Sequence, residues 1–392
     1  MVHLKKVPLP PAANTKAHVV GPGVEQAGPQ SGEKGRCVLR EKEMDLSIFD
    51  GFAEPVLLLR EGRVVYCNRA AEERFPGLGA GEETPVALAE LLGDILPPAA
   101  AAGTVDGWPC TATVQAAAEG SLVVLRPRTE GADLPGPERL VLQLRRETAS
   151  LSMAIQGLDP TEGPVDESRA QRYLNVLHQG LYRIVRMADH LDLASGGDEG
   201  QWQPQSLDLA GLCRETAEQV EGLCRMSGCA FTWSLETSGL LTVGDDRLLE
   251  RMLLCMLSNA MKAAGRTGRF GLKLAVRGSR AVVTVWNSGR PLEEKDLSRL
   301  FGGAQAPSLD PKAGLGLGLE LVRRVASLHG GAVLVESREG VTRCVVSLPI
   351  QKPEQGEPLR SPKADYSGGF LPVLVELSDV LPPEVYNFED LQ

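Results

Sequence analysis

Several features that would place a protein in a broad class are missing from this chain. No run approaches about 18 uncharged apolar residues, and the N-terminus lacks the apolar core of a signal peptide, so neither a membrane span nor export is expected. The chain also lacks an excess of basic residues. Its formal net charge is −10, which argues against nucleic acid or an anionic membrane surface as the main partner. These absences predict a soluble, cytoplasmic protein.

Cysteine and aromatic residues narrow the class further. The eight cysteines form no Cys-x-x-Cys pair and have no matching histidine cluster, so we expect neither a zinc site nor a disulfide framework. Aromatic residues make up only 4% of the chain, but 43% of it is hydrophobic, which is sufficient for buried cores. A length of 392 residues predicts two or three domains.

The N-terminal part divides into an arm and a small domain. Residues 1–45 are rich in Pro, Gly and Ala without a sustained period, which predicts a disordered arm. Residues 46–128 contain short strands around a Glu61-Gly62 turn, and then a short helix with Asn68 as its N-cap. This order of strand, turn, strand and Asn-Arg-Ala-Ala helix start resembles the opening of a PAS sensor domain. A small dimerising module that binds no ligand is the alternative.

Two helices with a heptad pattern follow, over residues 138–195. Each helix carries a seam of mostly apolar side chains at alternating spacings of three and four residues. The first seam is Leu144, Thr148, Leu151, Ile155 and Leu158, and the second is Leu174, Leu177, Leu181, Ile184, Ala188 and Leu191. A Pro- and Gly-containing turn at 159–164 separates the helices and predicts an antiparallel hairpin. One hairpin has only a narrow core, so the pattern favours a homodimer with a four-helix bundle.

The longest domain, over residues 205–350, alternates helices and strands. A buried helix predicted over 246–264 leads into two strands, a glycine-rich loop, a helix and two more strands. That order predicts an α/β sandwich with helices over one face of a mixed sheet. Residues 351–392 form a linker rich in Pro, Gly and charge, followed by an acidic tail. The tail either docks on a partner or packs back on the protein.

The candidate functional residues are polar side chains on the helix predicted over 246–264 and at the end of a strand. Asn259 and Lys262 lie one turn apart on the apolar helix, where an amide oxygen can coordinate Mg²⁺ and a lysine can contact phosphate. Asn287 and Gly289 end a strand. The amide suits the edge of an adenine, and the glycine allows the ring to approach the backbone. The alternatives are a structural Asn with a surface lysine, and an ordinary Asn-Ser-Gly turn.

A glycine-rich loop opens the next helix. Gly314, Gly316 and Gly318 alternate with leucine, and an amphipathic helix follows that ends at Gly330. Free N–H groups at the start of such a helix can hold a polyphosphate. An ordinary loop before an ordinary helix is the alternative, because a glycine-rich loop alone is a weak motif.

The four motifs together resemble a known family. Residues 259–262, 287–289, 300–301 and 314–319 follow the order and spacing of the N, G1, F and G2 boxes of the histidine kinase ATP-binding domain. The resemblance extends from residue 189 to residue 349 and implies the α/β sandwich of the GHKL superfamily. It also implies ATP and Mg²⁺ as cofactors.

The resemblance assigns a role to each matching position. It implies Mg²⁺ at Asn259, phosphate at Lys262, adenine at Asn287 and Gly289, and the triphosphate at Gly314, Gly316 and Gly318. Residues 302–313 would form the mobile lid. The chain departs from the family at Cys255, where a polar Asn or Glu is usual, and a thiol is a poor substitute unless it is ionised.

The usual phosphoacceptor is missing. In the family, a histidine on the first hairpin helix opens a His-Glu-x-x-Thr/Asn pattern, and the matching stretch here places Arg146 before Glu147, with Ser150 at the Thr/Asn position. A guanidinium stays protonated and cannot attack phosphorus. His178 and His190 lie on the second helix, where either is a substitute acceptor or a solvated or bundle-contact residue.

The sequence therefore predicts an α+β multidomain protein: a PAS-like sensor, a dimerisation hairpin and a GHKL ATP-binding domain. The expected function is that of a signal-transduction histidine kinase homologue that binds Mg·ATP, with the acceptor histidine replaced by Arg146. One alternative is a non-catalytic, ATP-gated regulator. Another is a phosphatase-type role in which Glu147 and Ser150 orient water. A homodimer, and a response regulator or kinase as partner, are expected in each case.

Overall fold

The computed structural model describes residues 46–93, 97–117, 120–128, 137–159, 166–195, 202–265, 267–289, 291–297, 300, 316–352 and 370–387. The described residues all fall in one compact unit, Asp45–Gln392. The predicted N-terminal arm, the predicted lid at 302–313 and Gly314 lie outside the described residues.

The described helices and strands follow one another in small groups along the chain. The helices are α1 (Arg69–Arg74), α2 (Val86–Leu92), α3 (Pro137–Gly157), α4 (Glu167–Ala194), α5 (Leu209–Ser227), α6 (Asp246–Ala264), α7 (Glu294–Leu297), α8 (Gly318–Leu328) and α9 (Pro372–Glu376). The strands are β1 (Val56–Arg60), β2 (Arg63–Cys67), β3 (Ala99–Val105), β4 (Trp108–Ala117), β5 (Gly120–Pro127), β6 (Gln205–Asp208), β7 (Ala230–Leu235), β8 (Leu241–Gly244), β9 (Arg269–Arg277), β10 (Arg280–Ser288), β11 (Ala332–Arg338) and β12 (Val341–Pro349).

One continuous sheet joins the N-terminal and C-terminal parts of the chain. Its ten strands have the order β2-β1-β5-β4-β3-β11-β12-β10-β9-β7, and β6 pairs with β8 in a separate two-stranded sheet. The junction is the antiparallel pair of β3 and β11, in which Ala101 lies opposite Leu334. Only β7 and β9 pair in parallel in the ten-stranded sheet. The two parts are therefore hydrogen-bonded to each other through their backbones.

Strand β3 separates two hydrophobic cores. Ala100 and Ala102 belong to the large core of the C-terminal part, whereas Ala99 and Ala101 belong to the core beneath α1 and α2. All four alanines are at most 2% exposed. A Cβ added to the next residue, Gly103, would lie 2.7 Å from Leu91 Cδ1. Small side chains are required here because both faces of the strand are covered.

The hairpin helices α3 and α4 pack closely in antiparallel fashion. A Cβ on Gly157, near the end of α3, would overlap the Tyr173 ring near the start of α4. A Cβ on Gly180 would lie 2.7 Å from Leu151 Cδ2. Several apolar side chains of the hairpin are nevertheless exposed in the single chain: Val141, Leu142, Leu144, Met153, Ile155, Leu174 and Leu181.

The acidic tail packs back on the protein. The C-terminal segment (residues 370–387) contains α9 and a short 3-10 helix, Pro383–Tyr386, and α9 contacts α4, α5 and α6. Seven of its apolar side chains are buried in the large core: Val373, Leu374, Val375, Leu377, Leu381, Val385 and Tyr386. Within the described part of the chain, no helix combines the length and hydropathy that a bilayer crossing requires.

Candidate nucleotide-binding site

Helix α6 supplies the first candidate residues. It has the bounds predicted from the sequence, because Asp245 caps its start by accepting a hydrogen bond from the Leu248 amide and Gly265 ends it at a φ of +64°. Most of α6 is buried, but Asn259 is exposed and Lys262 is half-buried. The amide of Asn259 is therefore accessible at the C-terminal half of a firmly packed helix.

The start of α8 lies directly against Asn259. A Cβ on Gly318 would lie 3.2 Å from Asn259 Nδ2 and 3.0 Å from Cys255 Sγ, so only glycine allows this approach without displacing a neighbour. The N-cap residue, Leu317, offers no side-chain hydrogen bond to the first turn. Gly316 has a φ of +78°, a conformation that favours glycine. The first-turn amides of α8 thus lack a side-chain cap, as an anion site requires.

Asn287 carries a buried polar atom whose hydrogen-bonding capacity is not satisfied within the described part of the chain. It is 5% exposed at the end of β10, and its Nδ2 is buried without a hydrogen-bond partner among the described residues. A buried amide left unpaired costs about 1–3 kcal/mol, so such groups are rare unless a ligand or water satisfies them. A Cβ on Gly289 would lie 2.7 Å from the Ala263 carbonyl oxygen and 3.3 Å from this Nδ2. The unpaired amide therefore lies where Gly289, just after β10, packs closely against the end of α6.

Cys255 does not replace the polar residue that is usual in the family. Its Sγ donates to the Gly318 carbonyl oxygen at 3.3 Å and lies 4.0 Å from Asn259 Nδ2. Burial is the main cause that raises the pKa of this thiol far above its usual value. The group is therefore neutral, and it acts as a packing residue between α6 and α8 and not as a metal ligand.

A buried cluster that the sequence did not reveal lies beside Cys255. Ligand-type atoms of His190, Cys255 and Glu376 all lie within 4.8 Å of one another. Arg186 Nε also donates to Glu376 Oε2 at 3.1 Å, and the neighbouring Arg251 helps to lower the pKa of the carboxyl group. Two guanidinium groups and a neutral thiol oppose the binding of a cation, so this cluster is better described as an ion-pair network.

The hairpin residues that match the phosphoacceptor motif differ in their exposure. Arg146 is exposed on α3, and Ser150 is half-buried. Glu147 is buried, receives a hydrogen bond from Gln143 Nε2 at 3.3 Å and lies 3.7 Å from Arg183 Nη1. Burial raises the pKa of Glu147 above its usual value, although the Arg183 charge opposes this effect.

The three histidines of the described residues have structural partners. His178 Nδ1 lies 3.1 Å from the Tyr386 carbonyl oxygen, and His190 Nε2 lies 2.9 Å from Glu376 Oε2, so both contact the C-terminal segment. His329 accepts from the Asp245 amide at 3.0 Å and lies 2.8 Å from the Val325 carbonyl oxygen. Burial lowers the pKa of His329, which therefore serves as a neutral bridge between α8 and the start of α6.

Part of the chain is similar to known ATPases and sensory kinases. Residues 244–352 match the family described as histidine kinase-, DNA gyrase B- and HSP90-like ATPase. Over 245 residues the chain is 28% identical to the adaptive-response sensory kinase SasA of Parasynechococcus marenigrum (strain WH8102), covering 59% of this chain and 62% of that protein. Over 185 residues it is 27% identical to the circadian input-output histidine kinase CikA of Synechococcus elongatus, covering 45% of this chain and 24% of that protein.

One solved structure aligns with a larger share of the chain, at a lower sequence identity. The histidine kinase ThkA in complex with the response regulator protein TrrA covers 78% of this chain and 98% of its own, with 16% identity and a TM-score of 0.43. The alignments with the sensory kinases span less than two thirds of their lengths. The similarity to the histidine kinase-, DNA gyrase B- and HSP90-like ATPase family is thus confined to residues 244–352, and the sensory kinases SasA and CikA are similar to a longer part of the chain.

Proposed function

We propose that this chain binds the Mg²⁺ complex of ATP between the ends of α6 and β10 and the start of α8. The observation that carries the proposal is the buried, unpartnered Nδ2 of Asn287 beside Gly289. An adenine edge offers both an acceptor and a donor, which an Asn amide can match with its own donor and acceptor. The uncapped start of α8 at Gly318 supplies the phosphate subsite next to this pocket.

Each candidate site residue then has a defined role. Asn287 binds and orients the purine, and Gly289, which has no Cβ, allows the ring to approach the backbone. Lys262 and the first-turn amides of α8 hold the phosphates, and the exposed amide oxygen of Asn259 would hold the magnesium ion. When bound, the ion would neutralise phosphate charge and fix the conformation of the triphosphate. The Gly316–Gly318 loop and Gly314 form the phosphate cradle in this assignment.

We propose further that the bound nucleotide regulates the protein and is not used to phosphorylate α3. The exposed position expected for the acceptor carries Arg146, whose guanidinium has no free lone pair. The histidines of α4 both contact the C-terminal segment. The best-supported role is therefore that of a non-catalytic, ATP-gated regulator in two-component signalling, with a response regulator or partner kinase as its target.

A phosphatase-type role finds less support. It requires Glu147 and Ser150 to present polar groups to a water molecule and an incoming aspartyl phosphate. Glu147 is buried and paired with Arg183 instead, and burial raises its pKa. We therefore favour the regulator over the phosphatase.

The exposed apolar side chains of the hairpin support a homodimer. Ile155 and Met153 on α3 and Leu181 on α4 are among the large hydrophobic residues that the single chain leaves exposed. A second hairpin would cover them in a four-helix bundle, as the heptad pattern predicts.

Two measurements on the full-length protein test the proposed function. Titration calorimetry with Mg·ATP should show one site per chain, and γ-labelled Mg·ATP should leave no acid-labile label on the protein. Binding without labelling supports the regulator. Label that disappears in His178→Gln or His190→Gln would instead make the protein an autokinase with a relocated acceptor. The absence of binding heat would reject the nucleotide site.

A further inference from the structure

The C-terminal segment (residues 370–387) covers the face of α4 that carries both hairpin histidines. Gln179 Nε2 donates to the carbonyl oxygens of Ser378 and Leu381 at 3.0 and 2.7 Å. Arg183 Nε donates to the Ser378 carbonyl oxygen at 3.0 Å. These contacts give the segment a defined register on α4, so it is a specifically bound peptide and not a loosely attached tail.

Glu376 is the charged centre of this interface. Its side chain is 2% exposed, accepts from Arg186 Nε at 3.1 Å and lies 2.9 Å from His190 Nε2. Burial alone would raise its pKa, but His190, Arg186 and Arg251 lower the pKa to about 2, so the carboxylate stays ionised. Asp379 adds a second carboxylate to Arg186. The segment thus binds α4 through two acidic groups that share one buried arginine.

The Cys255 thiol lies close to both Glu376 and the proposed nucleotide site. Its Sγ lies within 4.8 Å of a Glu376 oxygen and 4.0 Å from Asn259 Nδ2. Arg186 Nη2 also donates to the hydroxyl of Ser258, the residue directly before Asn259, at 3.4 Å. Arg186 therefore links the acidic groups of the segment to the helix that would hold the nucleotide.

We propose that binding of Mg·ATP weakens the attachment of the C-terminal segment and thereby exposes the face of α4 that carries His178 and His190. The proposal rests on the Mg·ATP site proposed above. Mg·ATP is anionic overall, because the charges of the triphosphate outnumber those of one divalent ion. Placed at Asn259, it repels Glu376 across Cys255 and competes for Arg186 with the two carboxylates of the segment.

The segment can detach when the nucleotide binds, because two opposing contributions to the free energy of docking are of similar size. Its buried apolar side chains favour docking, whereas fixing the conformation of each residue of the segment opposes it by an amount of similar order. The charged contacts of Arg186 then determine the fraction of molecules in which the segment is docked on α4. In sequence, residues 353–369 connect the segment to the end of the ATPase domain, so a detached segment remains part of the same molecule.

Hydrogen–deuterium exchange of the full-length protein tests the direction of the coupling. Saturating Mg²⁺ with the non-hydrolysable analogue AMPPNP should increase exchange in residues 370–387 and in the facing part of α4, while β1 and β2 stay unchanged. Calorimetry on the same sample establishes that the analogue binds. Binding with equal or lower exchange in the segment overturns this proposal and leaves the nucleotide site intact. The absence of binding rejects both.

Mutation tests the same coupling from the other side. Because coupling is reciprocal, Glu376→Gln should tighten Mg·AMPPNP binding about fivefold to tenfold. Glu384→Gln is the matched control, because Glu384 is an exposed glutamate of the same segment and its loss should leave the dissociation constant unchanged. Asp379→Asn, at a partly exposed position, covers the case in which Glu376→Gln does not fold, and it should also tighten binding. Unchanged or weaker binding in the folded acidic-site variants contradicts the proposal.

Chemical modification of histidine measures the exposure of this face of α4. Diethyl pyrocarbonate should modify His178 and His190 faster when Mg·AMPPNP is bound. His329 is the internal control, since it lies in the core with both ring nitrogens in contact with the backbone. Faster modification of His329 as well would indicate general unfolding, and slow modification of all three would contradict release of the segment.

Discussion

Arg128 Nη2 lies 2.5 Å from Glu320 Oε2, in an ion pair between side chains that are 12% and 18% exposed. Arg128 follows the last strand of the N-terminal part, and Glu320 is in the first turn of α8, the helix proposed to hold phosphate. Together with the β3–β11 pair, this contact joins the N-terminal part to the helix at the proposed nucleotide site. The N-terminal part therefore contacts α8 directly and not only through the hairpin.

We expect Arg128→Gln to destabilise the protein by about 1–3 kcal/mol. The loss is smaller than for a fully buried pair because Arg323 also bonds Glu320, with Nη2 at 2.5 Å from Oε1. Urea unfolding measures the difference. Arg126→Gln is the matched control, since Arg126 is exposed and lies 3.8 Å from Glu54, and it should change stability by less than about 0.5 kcal/mol. Equal losses in the two variants would contradict a special role for Arg128.

Asn287→Ala should separate ligand binding from folding. Removing an unpartnered buried amide should leave the free energy of unfolding unchanged or raise it, since the desolvation cost of the amide disappears. Mg·ATP affinity should fall about tenfold to a hundredfold, as expected for the loss of hydrogen bonds worth about 1–3 kcal/mol. Thermal unfolding with and without Mg·ATP measures both effects.

Asn68→Ala provides the opposite pattern as a control. The Asn68 side chain accepts from the Val56 and Ala71 amides and donates to the Glu54 carbonyl oxygen, so its loss should destabilise the fold by about 2 kcal/mol or more. Its nucleotide affinity should be unchanged. A strong destabilisation by Asn287→Ala would show that Asn287 has a structural role instead.

Gly318→Ala should close the phosphate subsite. A methyl group would lie 3.0 Å from Cys255 Sγ and 3.2 Å from Asn259 Nδ2, so we expect a loss of about 1–3 kcal/mol in stability and weaker Mg·ATP binding. In Gly222→Ala, on α5, the methyl group meets nothing within 4 Å, and the variant should gain about 0.5–1 kcal/mol. Unfolding curves and calorimetry distinguish the two. Unimpaired nucleotide binding in Gly318→Ala would remove α8 from the site.

Glu250 should make the stability depend on pH near neutrality. The residue is 7% exposed, and burial, with the nearby Asp246 and Glu215 carboxylates, raises its pKa to about 7. The unfolded state, with a pKa near 4.5, loses the proton first, so stability falls as the pH rises from about 4.5 to about 7. Glu250→Gln should therefore be more stable than the original protein by about 2–3 kcal/mol at pH 8 and nearly equal to it at pH 4.5. Denaturation at several pH values checks this, and a constant difference would contradict it.

Ile155→Glu should prevent dimerisation. Ile155 is 60% exposed in the single chain and lies on the predicted seam of α3, so a charge there would be buried in a four-helix bundle. Light scattering should show a monomer with unchanged circular dichroism. Met226→Glu is the control, because Met226 is 61% exposed on α5, away from the hairpin, and its loss should leave the dimer intact. A dimer that persists in Ile155→Glu would place the interface elsewhere.

The sequence was sufficient where a local pattern carries the information. Helix α6 has the predicted bounds, since a helical period and a cap such as Asp245 are local features. Asn259, Asn287 and the Gly316–Gly318 loop were predicted from their order and spacing to form one site, and the structure brings Gly318 close to Asn259. Their role in binding a nucleotide stays a prediction. The Asn68 cap was also predicted and observed.

The sequence was not sufficient where distant parts of the chain meet. Strand β3 was missed because an alanine run has no β-like pattern, and only coverage by β4, β11 and two cores makes small side chains suitable for a strand there. The packing of Glu376 against His190 across 186 residues could not be read from either neighbourhood. Local periodicity thus determined the elements and the order of the nucleotide motifs. Tertiary packing alone decided that one sheet joins both parts and that the chain's own C-terminal segment covers α4, because burial and charge pairing depend on contacts that sequence spacing does not encode.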